Sequence, residues 1–494
     1  MMKISFKHSN DDSAAITLIP LLKKQSTDSF YKKNKATLGK MLATQRADFR
    51  AGAGDVQIIY TEHGKVFLLG LGEHLTFGEA VKMARAFGIK QQDKLDKRVT
   101  VVLSHFKKSS EIATITDAVV NGLMQSTYQI ERFHTDKKEA HPLARKKAQL
   151  TLVVDEKHTT TAENAARKGQ ISAEAQLSII DLVNAPANKK TPQVLADWAR
   201  QSGQKSGFSV TTFSKAEIVK MGLGGLLAIN RGSEDAPEFI VMEYKPKTNK
   251  TLKRIGLVGK GVTFDVGGLS IKSSTNMHYM KSDMGGAAAV FGTMETVARL
   301  GLPIHLIGIV PSTDNSVDAN SIKPSDVITT YSGKTIEIID TDAEGRVILS
   351  DGLAYMVKHF QPDVLIDLAT LTGSAVRALG YEAGALFSNN DKLASQLSQA
   401  GYRTGEKVWR MPIWDAYGDD MKSDVADIKN FSGKPVAGAI TAAKFLQFFT
   451  EQHPNWAHLD IAGVAFGGTD FSMGKSATGF GVRLLTDLIE NEYV

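Results

Sequence analysis

The chain has 494 residues, 42% hydrophobic and 23% charged, with no cysteine and a net charge of +6. That length exceeds one ordinary core and predicts two or three domains, while the apolar content excludes a disordered or fibrous protein. Without cysteine there is no disulfide, thiolate metal site or cysteine nucleophile, which fits a cytoplasmic protein.

The charge is uneven. Residues 1–150 carry 25 Lys and Arg against 15 Asp and Glu, and the rest carry 34 against 38. A basic front part and a mildly acidic back part predict two units with different surroundings. A solvated lysine-rich face is the plain reading of the front part, and a nucleic-acid patch the competing one. No apolar run approaches the roughly 20 residues that span a bilayer. The opening "MMKISFKHSNDDSAAITLIPLL" places acids ahead of a short apolar patch, unlike a signal peptide, so no membrane partner is expected.

In chain order, "DVQIIY" (55–60), "KVFLLGLG" (65–72), "RVTVVLS" (98–104) and "AQLTLVV" (148–154) read as short buried strands. Helical stretches alternate with them, "FGEAVKMARAFGIK" (77–90) and "EIATITDAVVNGLMQSTY" (111–128). This is the pattern of an α/β domain with a largely parallel sheet. From Asp155 to about Ile179 the sequence turns polar and helical, as a connecting helix would. Pro186 and Pro192 in "NAPANKKTP" then end the segment. The second part alternates again. "FIVMEY" (239–244), "RIGLVG" (254–259), "PIHLIGIVP" (303–311) and "DVLIDLAT" (363–370) are strand-like, and 284–301, 346–360 and 439–452 are helix-like.

The stretch "IEIIDTDAEGRVILSDGLAY" (336–355) packs Asp340, Asp342 and Glu344 into five positions ahead of a glycine. It comes close to a calcium loop, with Asp351 where the bidentate Glu would stand. A calcium hand needs a helix on both sides, however, and "KTIEIID" before the acids is β-branched and strand-like. Other acids occupy similar places. "LVGKGVTFDVGGLSIK" (257–272) brings Lys260, Asp265 and Lys272 after an apolar strand, and "MKSDMGGAAAV" brings Asp283 to the mouth of a helix. Strand ends of open α/β sheets are where ligands usually sit. Asp265, Asp283, Asp342 and Glu344 converging there would repel one another unless cations lie between them. Two divalent ions about 3.5–4 Å apart would neutralise them. Each signal is weak alone: an isolated Asp is commonly a turn residue, a Lys seldom binds metal, and neither a full phosphate loop nor H-E-x-x-H is present.

Taken in order, "VGKGVTFDVGGLSIK", "MKSDMGGAAAV", "DTDAEGRVILSDGLAY", "DLATLTGSAVRALG" and "WAHLDIAGVAF" resemble the leucyl aminopeptidase family of two-metal exopeptidases over about residues 175–490. The resemblance implies metal ligands at Lys260, Asp265, Asp283, Asp342 and Glu344, with Asp265 and Glu344 bridging two zinc or manganese ions. It implies catalytic roles for Lys272 and Arg346, the latter holding bicarbonate. Around the substrate it implies Met280, Thr370, Leu371, Gly373, Ala462 and Ala465, and also Asp340, which stands where the family has Asn. The fold implied is α/β in two domains. A macro-domain-like domain over 1–165 and a linker helix over 166–178 precede the metallopeptidase domain, 179–494. A homohexamer acting on peptides with a free N-terminus, leucine-like residues preferred, completes the expectation. The competing class is a nucleic-acid-binding regulator on a peptidase scaffold, using the basic N-terminal part.

Overall fold

The computed structural model describes residues 2–9, 15–38, 48–130, 133–136, 139–248, 251–471 and 474–494. The chain forms two compact α/β units, Met1–Leu177 with the short stretch Asp470–Met473, and Ser178–Thr469 with Gly474–Val494. The connecting helix is longer than the expected 166–178 and runs unbroken over Thr159–Asn184.

The first unit is built on six strands: β1 (Lys3–Lys7), β2 (Ile16–Leu21), β3 (Val56–Tyr60), β4 (Lys65–Gly70), β5 (Arg98–Val102) and β6 (Gln149–Val153). Their order is β1-β6-β5-β2-β4-β3, parallel throughout except that β3 runs against β4. The four strands expected from sequence all form. The short apolar patch near the N-terminus also becomes a strand, β2, buried along its whole length between β4 and β5. The helices Phe77–Lys90 and Ser109–Gln125 pack with this sheet into one apolar core, where Phe67, Phe87, Ile115 and Leu150 are buried.

The second unit contains β7 (Ser209–Phe213), β8 (Glu238–Tyr244), β9 (Arg254–Gly259), β10 (Gly261–Asp265) and β11 (His305–Asn315). The short β12 (Val327–Thr329) and β13 (Thr335–Glu337) follow, then β14 (Val364–Ala369), β15 (Gly384–Ser388) and β16 (Val408–Arg410). Last come β17 (Ile428–Lys429), β18 (Trp456–Asp460), β19 (Phe466–Gly468) and β20 (Lys475–Ala477). The main sheet has the order β16-β15-β18-β14-β9-β11-β8-β7, with β10 beside β11. Its centre, β18-β14-β9-β11, is parallel. Helices cover both faces of this centre. Ile307 and Ile309 pack in one core with Val347, Ile348 and Leu353 of the helix Glu344–Phe360. Gly308 lies against Val290 and Met294 of the helix Gly285–Leu300. Alternate strand residues face opposite sides, so the sheet is buried on both, which is why its strands read as unbroken apolar runs. From β9 the chain goes first to β11 on one side and then to β14 on the other. That makes the carboxyl end of β9 a topological switch point, where a crevice opens.

Candidate metal centre

Lys260 follows β9 at this switch point. Its backbone N–H donates to Leu368 O of β14 (3.0 Å) and its carbonyl accepts from Ala287 N–H (2.9 Å). The side chain is 3% exposed, with Nζ 2.8 Å from Asp283 Oδ2 and 2.7 Å from Glu344 Oε1. It also donates to Thr370 O (3.1 Å), and Thr370 Oγ1 donates to Asp283 Oδ1 (2.8 Å). The ammonium lies directly over the start of the Glu344–Phe360 helix. A Cβ on Gly345 would come within 2.6 Å of Nζ, so only glycine leaves room there.

Asp265 ends β10, buried. Its Oδ1 accepts from Gly267 N–H (2.8 Å) and Asn315 Nδ2 (2.9 Å), and its Oδ2 lies 2.8 Å from Lys272 Nζ. Lys272 reaches Asp342 Oδ1 as well. Gly267 carries φ +90°, and a Cβ there would sit 3.0 Å from Asp342 Oδ1. The glycine turn is thus what lets the Lys272 loop approach the acid loop. Carboxylate oxygens of Asp265, Asp342 and Glu344 all lie within 4.8 Å of one another.

The acid loop is fixed by its neighbours. Asp340 Oδ1 accepts the Asp342 N–H (2.8 Å), while Thr341 Oγ1 donates to Gly267 O (2.6 Å) and accepts from Ser270 N–H (2.8 Å). Glu344 opens its helix at the end where the macrodipole favours a carboxylate. Two residues on, buried Arg346 donates from Nη1 to Asn430 O (2.9 Å), and its Nε has no hydrogen-bond partner. Asp351 takes no part. Fully buried, it accepts backbone N–H groups of Leu226 (2.9 Å) and Tyr331 (2.8 Å). With β13 ahead of the acids, the calcium-hand geometry is absent.

The electrostatics of this cluster are those of a cation site. Burial, then the charges of Asp265 and Glu344, push the Asp342 carboxyl up to about 7 against the pull of Lys272. Burial raises Asp283 well above its ordinary value, opposed by Lys260 and reinforced by Glu344 and Asp265. Burial alone would lower both lysines, but the surrounding carboxylates outweigh it and raise Lys260 and Lys272. Glu344 Oε2 is buried with no hydrogen-bond partner. An unpaired buried carboxylate oxygen costs several kcal/mol by rough estimate, and the crowded acids ask for more positive charge than two ammonium groups supply. A donor set of carboxylates and one amine suits divalent cations of the hard to borderline kind.

Of the expected substrate residues, Thr370 touches the cluster directly through Asp283. Thr370 Cγ2 and Ala465 Cβ both close on Gly285, where a Cβ would meet them at 3.0 and 2.9 Å. Leu371 N–H and Ala462 N–H share one acceptor, Asp460 Oδ1 (3.1 and 3.2 Å), and Thr372 Oγ1 donates to its Oδ2 (2.7 Å). Met280 belongs to the turn Met277–Ser282, and its carbonyl accepts from Asp283 N–H (3.2 Å). Gly373, exposed, opens the helix Gly373–Leu379 and is not drawn into the cluster by these bonds. Sequence reading missed Asn315, Asn430 and Asp460, which hold the Asp265 carboxylate, Arg346 and the 370–373 loop. Each is a short polar residue at or just past a strand end. In sequence that type signals only a turn.

The catalytic-domain profile of the cytosol aminopeptidase family matches residues 179–486. The chain belongs to this family. It is 45% identical over 457 residues to a probable cytosol aminopeptidase of Chlorobium limicola, covering 90% of each chain. A probable cytosol aminopeptidase of Chloroherpeton thalassium is 43% identical over 510 residues, covering 99% of this chain and all of its own. Among solved structures, a point mutant of tomato leucine aminopeptidase superposes with a TM-score of 0.88 at 28% identity. It covers 99% of this chain and 96% of its own. The bottromycin maturation enzyme BotP in complex with Mn gives 0.83 at 32% identity, over 96% and 99%. Among the described residues no helix is long and apolar enough to cross a membrane.

Proposed function

We propose that this metal-dependent aminopeptidase removes the N-terminal residue, leucine-like by preference, from peptides with a free α-amine. Lys260, Asp265, Asp283, Asp342 and Glu344 would hold two divalent ions, zinc or manganese, with the Asp265, Asp342 and Glu344 carboxylates, within 4.8 Å of one another, supplying most of the negative charge. Such a pair, when bound, supplies Lewis acidity, which acidifies water and polarises a carbonyl. Lys272 keeps its proton among the acids and, partly exposed, donates to the oxygen that gains charge as the scissile carbonyl is attacked. Arg346 offers a planar fork suited to bicarbonate, which would accept the proton. Thr370, Leu371, Gly373, Ala462, Ala465 and Met280 would form an apolar or small-residue wall around the first side chain. A cytoplasmic homohexamer completes the reading, and light scattering tests the assembly.

What carries this reading is the meeting of Asp265, Asp283, Asp342 and Glu344 with Lys260 and Lys272 at the switch point, in a chain of the aminopeptidase family. The test is hydrolysis of leucine anilide before and after chelation, with zinc, manganese and cobalt added back singly. Loss on chelation and recovery with metal are expected. Turnover that survives complete metal removal would overturn it.

A further inference from the structure

Asn430 lies immediately after β17 and is fully buried. Its backbone N–H donates to Glu337 O (2.9 Å), which extends the parallel pairing of β13 and β17 by one residue. Beyond that point the 338–340 segment leaves the strand, and the side-chain amide of Asn430 takes over as its partner. Oδ1 accepts from Ile339 N–H (2.8 Å) and Asp340 N–H (3.2 Å), and Nδ2 donates to Asp340 O (2.6 Å). The Asn430 carbonyl accepts from Arg346 Nη1 (2.9 Å). One residue therefore grips the acid loop where it begins and the guanidinium that follows it.

Strand pairing alone would not do this. A backbone partner offers one donor and one acceptor per residue, whereas the primary amide supplies both to residue 340 and a second acceptance to 339. The Asn430 carbonyl stays free for Arg346. Building on the proposed function, we infer that Asn430 is a positioning residue for peptide hydrolysis, setting the spacing between the acid loop 340–344 and the Arg346 guanidinium. A displacement of about 1 Å at such a site can cost about 100-fold in rate.

The test compares Asn430→Ala and Asn430→Asp with wild type on leucine anilide at saturating manganese, with folding checked by circular dichroism. Asn430→Ala should lower kcat about 10- to 100-fold and leave KM within about threefold. Asn430→Asp keeps the shape and the acceptors but, when ionised, loses the donor to Asp340 O. Burial, the Asp340 carbonyl and the Asp340 carboxylate favour the protonated form of the introduced carboxyl, against the Ile339 and Asp340 N–H groups and the Arg346 guanidinium, and once protonated it donates again. Its kcat relative to wild type should therefore rise as pH falls from 9 to 6, while the Asn430→Ala ratio stays flat. If Asn430→Ala does not fold, the pH dependence of Asn430→Asp decides alone. Losses confined to KM or melting temperature, or a flat ratio for Asn430→Asp, would overturn the inference. A wild type without metal-dependent turnover would instead overturn the proposed function on which it rests.

Discussion

Replacing Asp265 with Asn separates chemistry from folding. Asn keeps an oxygen for Gly267 N–H and Asn315 Nδ2, now 2.8 and 2.9 Å from Asp265 Oδ1. What it removes is the negative charge 2.8 Å from Lys272 Nζ. Lys272 retains Asp342, so the loss to stability is that of one charge-assisted hydrogen bond, about 1.5–3 kcal/mol. In a unit of this size that lowers the melting temperature by roughly 2–5 °C. The loss to activity is far larger. If Asp265 holds the ions as proposed, it contributes to charge stabilisation worth several kcal/mol, and at about 1.36 kcal/mol per tenfold turnover should fall about 10²–10⁴-fold. The assays are leucine anilide hydrolysis at saturating manganese, metal content after gel filtration, and thermal melting. Turnover within tenfold of wild type with two ions per chain would show that Asp265 holds no metal.

Arg346→Lys should lower kcat about 100-fold, because an ammonium cannot present a planar fork. Bicarbonate added to dialysed enzyme should stimulate wild type and not the variant, and equal stimulation would refute the role of Arg346. Asp340→Asn should retain kcat/KM within about threefold, since either side chain can accept the Asp342 N–H, whereas Asp340→Ala should lose about tenfold. Equal damage from both would mean that the charge, not the turn, matters. Burial holds the His105 imidazole down to about 4, opposed by its bond to Pro20 O. With the unfolded value near 6.5, its contribution to stability is complete above pH 6.5 and is lost as pH falls toward 4, by up to about 3 kcal/mol. His105→Gln, which keeps a donor for Pro20, should flatten that dependence in thermal melts, and identical curves would refute it.

The alternation of strands and helices was legible because the sheets are parallel and buried, so their strands appear as short apolar runs between amphipathic helices. The strand β2 was harder to see. "ITLIPL" contains a proline, which lacks the N–H that a central strand needs, and it follows a polar, acidic stretch. Yet every residue of β2 is buried, because β4 and β5 flank it on either side. The sheet order, not the local sequence, makes this segment a strand. The connecting helix was legible over most of its length, since the sequence from Asp155 to about Ile179 is polar and helical; the helix runs on to Asn184, and its buried face includes Ala162 and Ala166.

The site divides along a similar line. The crowding of Asp265, Asp283, Asp342 and Glu344 at strand ends was visible in sequence as an electrostatic conflict that asks for a cation, whereas Lys260 stood out only through the resemblance to a family. Asn315, Asn430 and Asp460 create no such conflict. Their side chains are matched donor for acceptor, chiefly to groups 26 to 91 positions away, and satisfied polar groups look ordinary until the chain is folded. The same contrast explains Asp340. In sequence it stands out as a third carboxylate beside two others, which suggests a charge aimed at the ions or the substrate. In the structure its Oδ1 is occupied by the Asp342 N–H and its backbone by Asn430. What the position requires is an acceptor at that distance from the turn, and Asn and Asp offer the same one. Asp at this position therefore adds local charge while supplying the acceptor that holds the turn leading to Asp342 and Glu344.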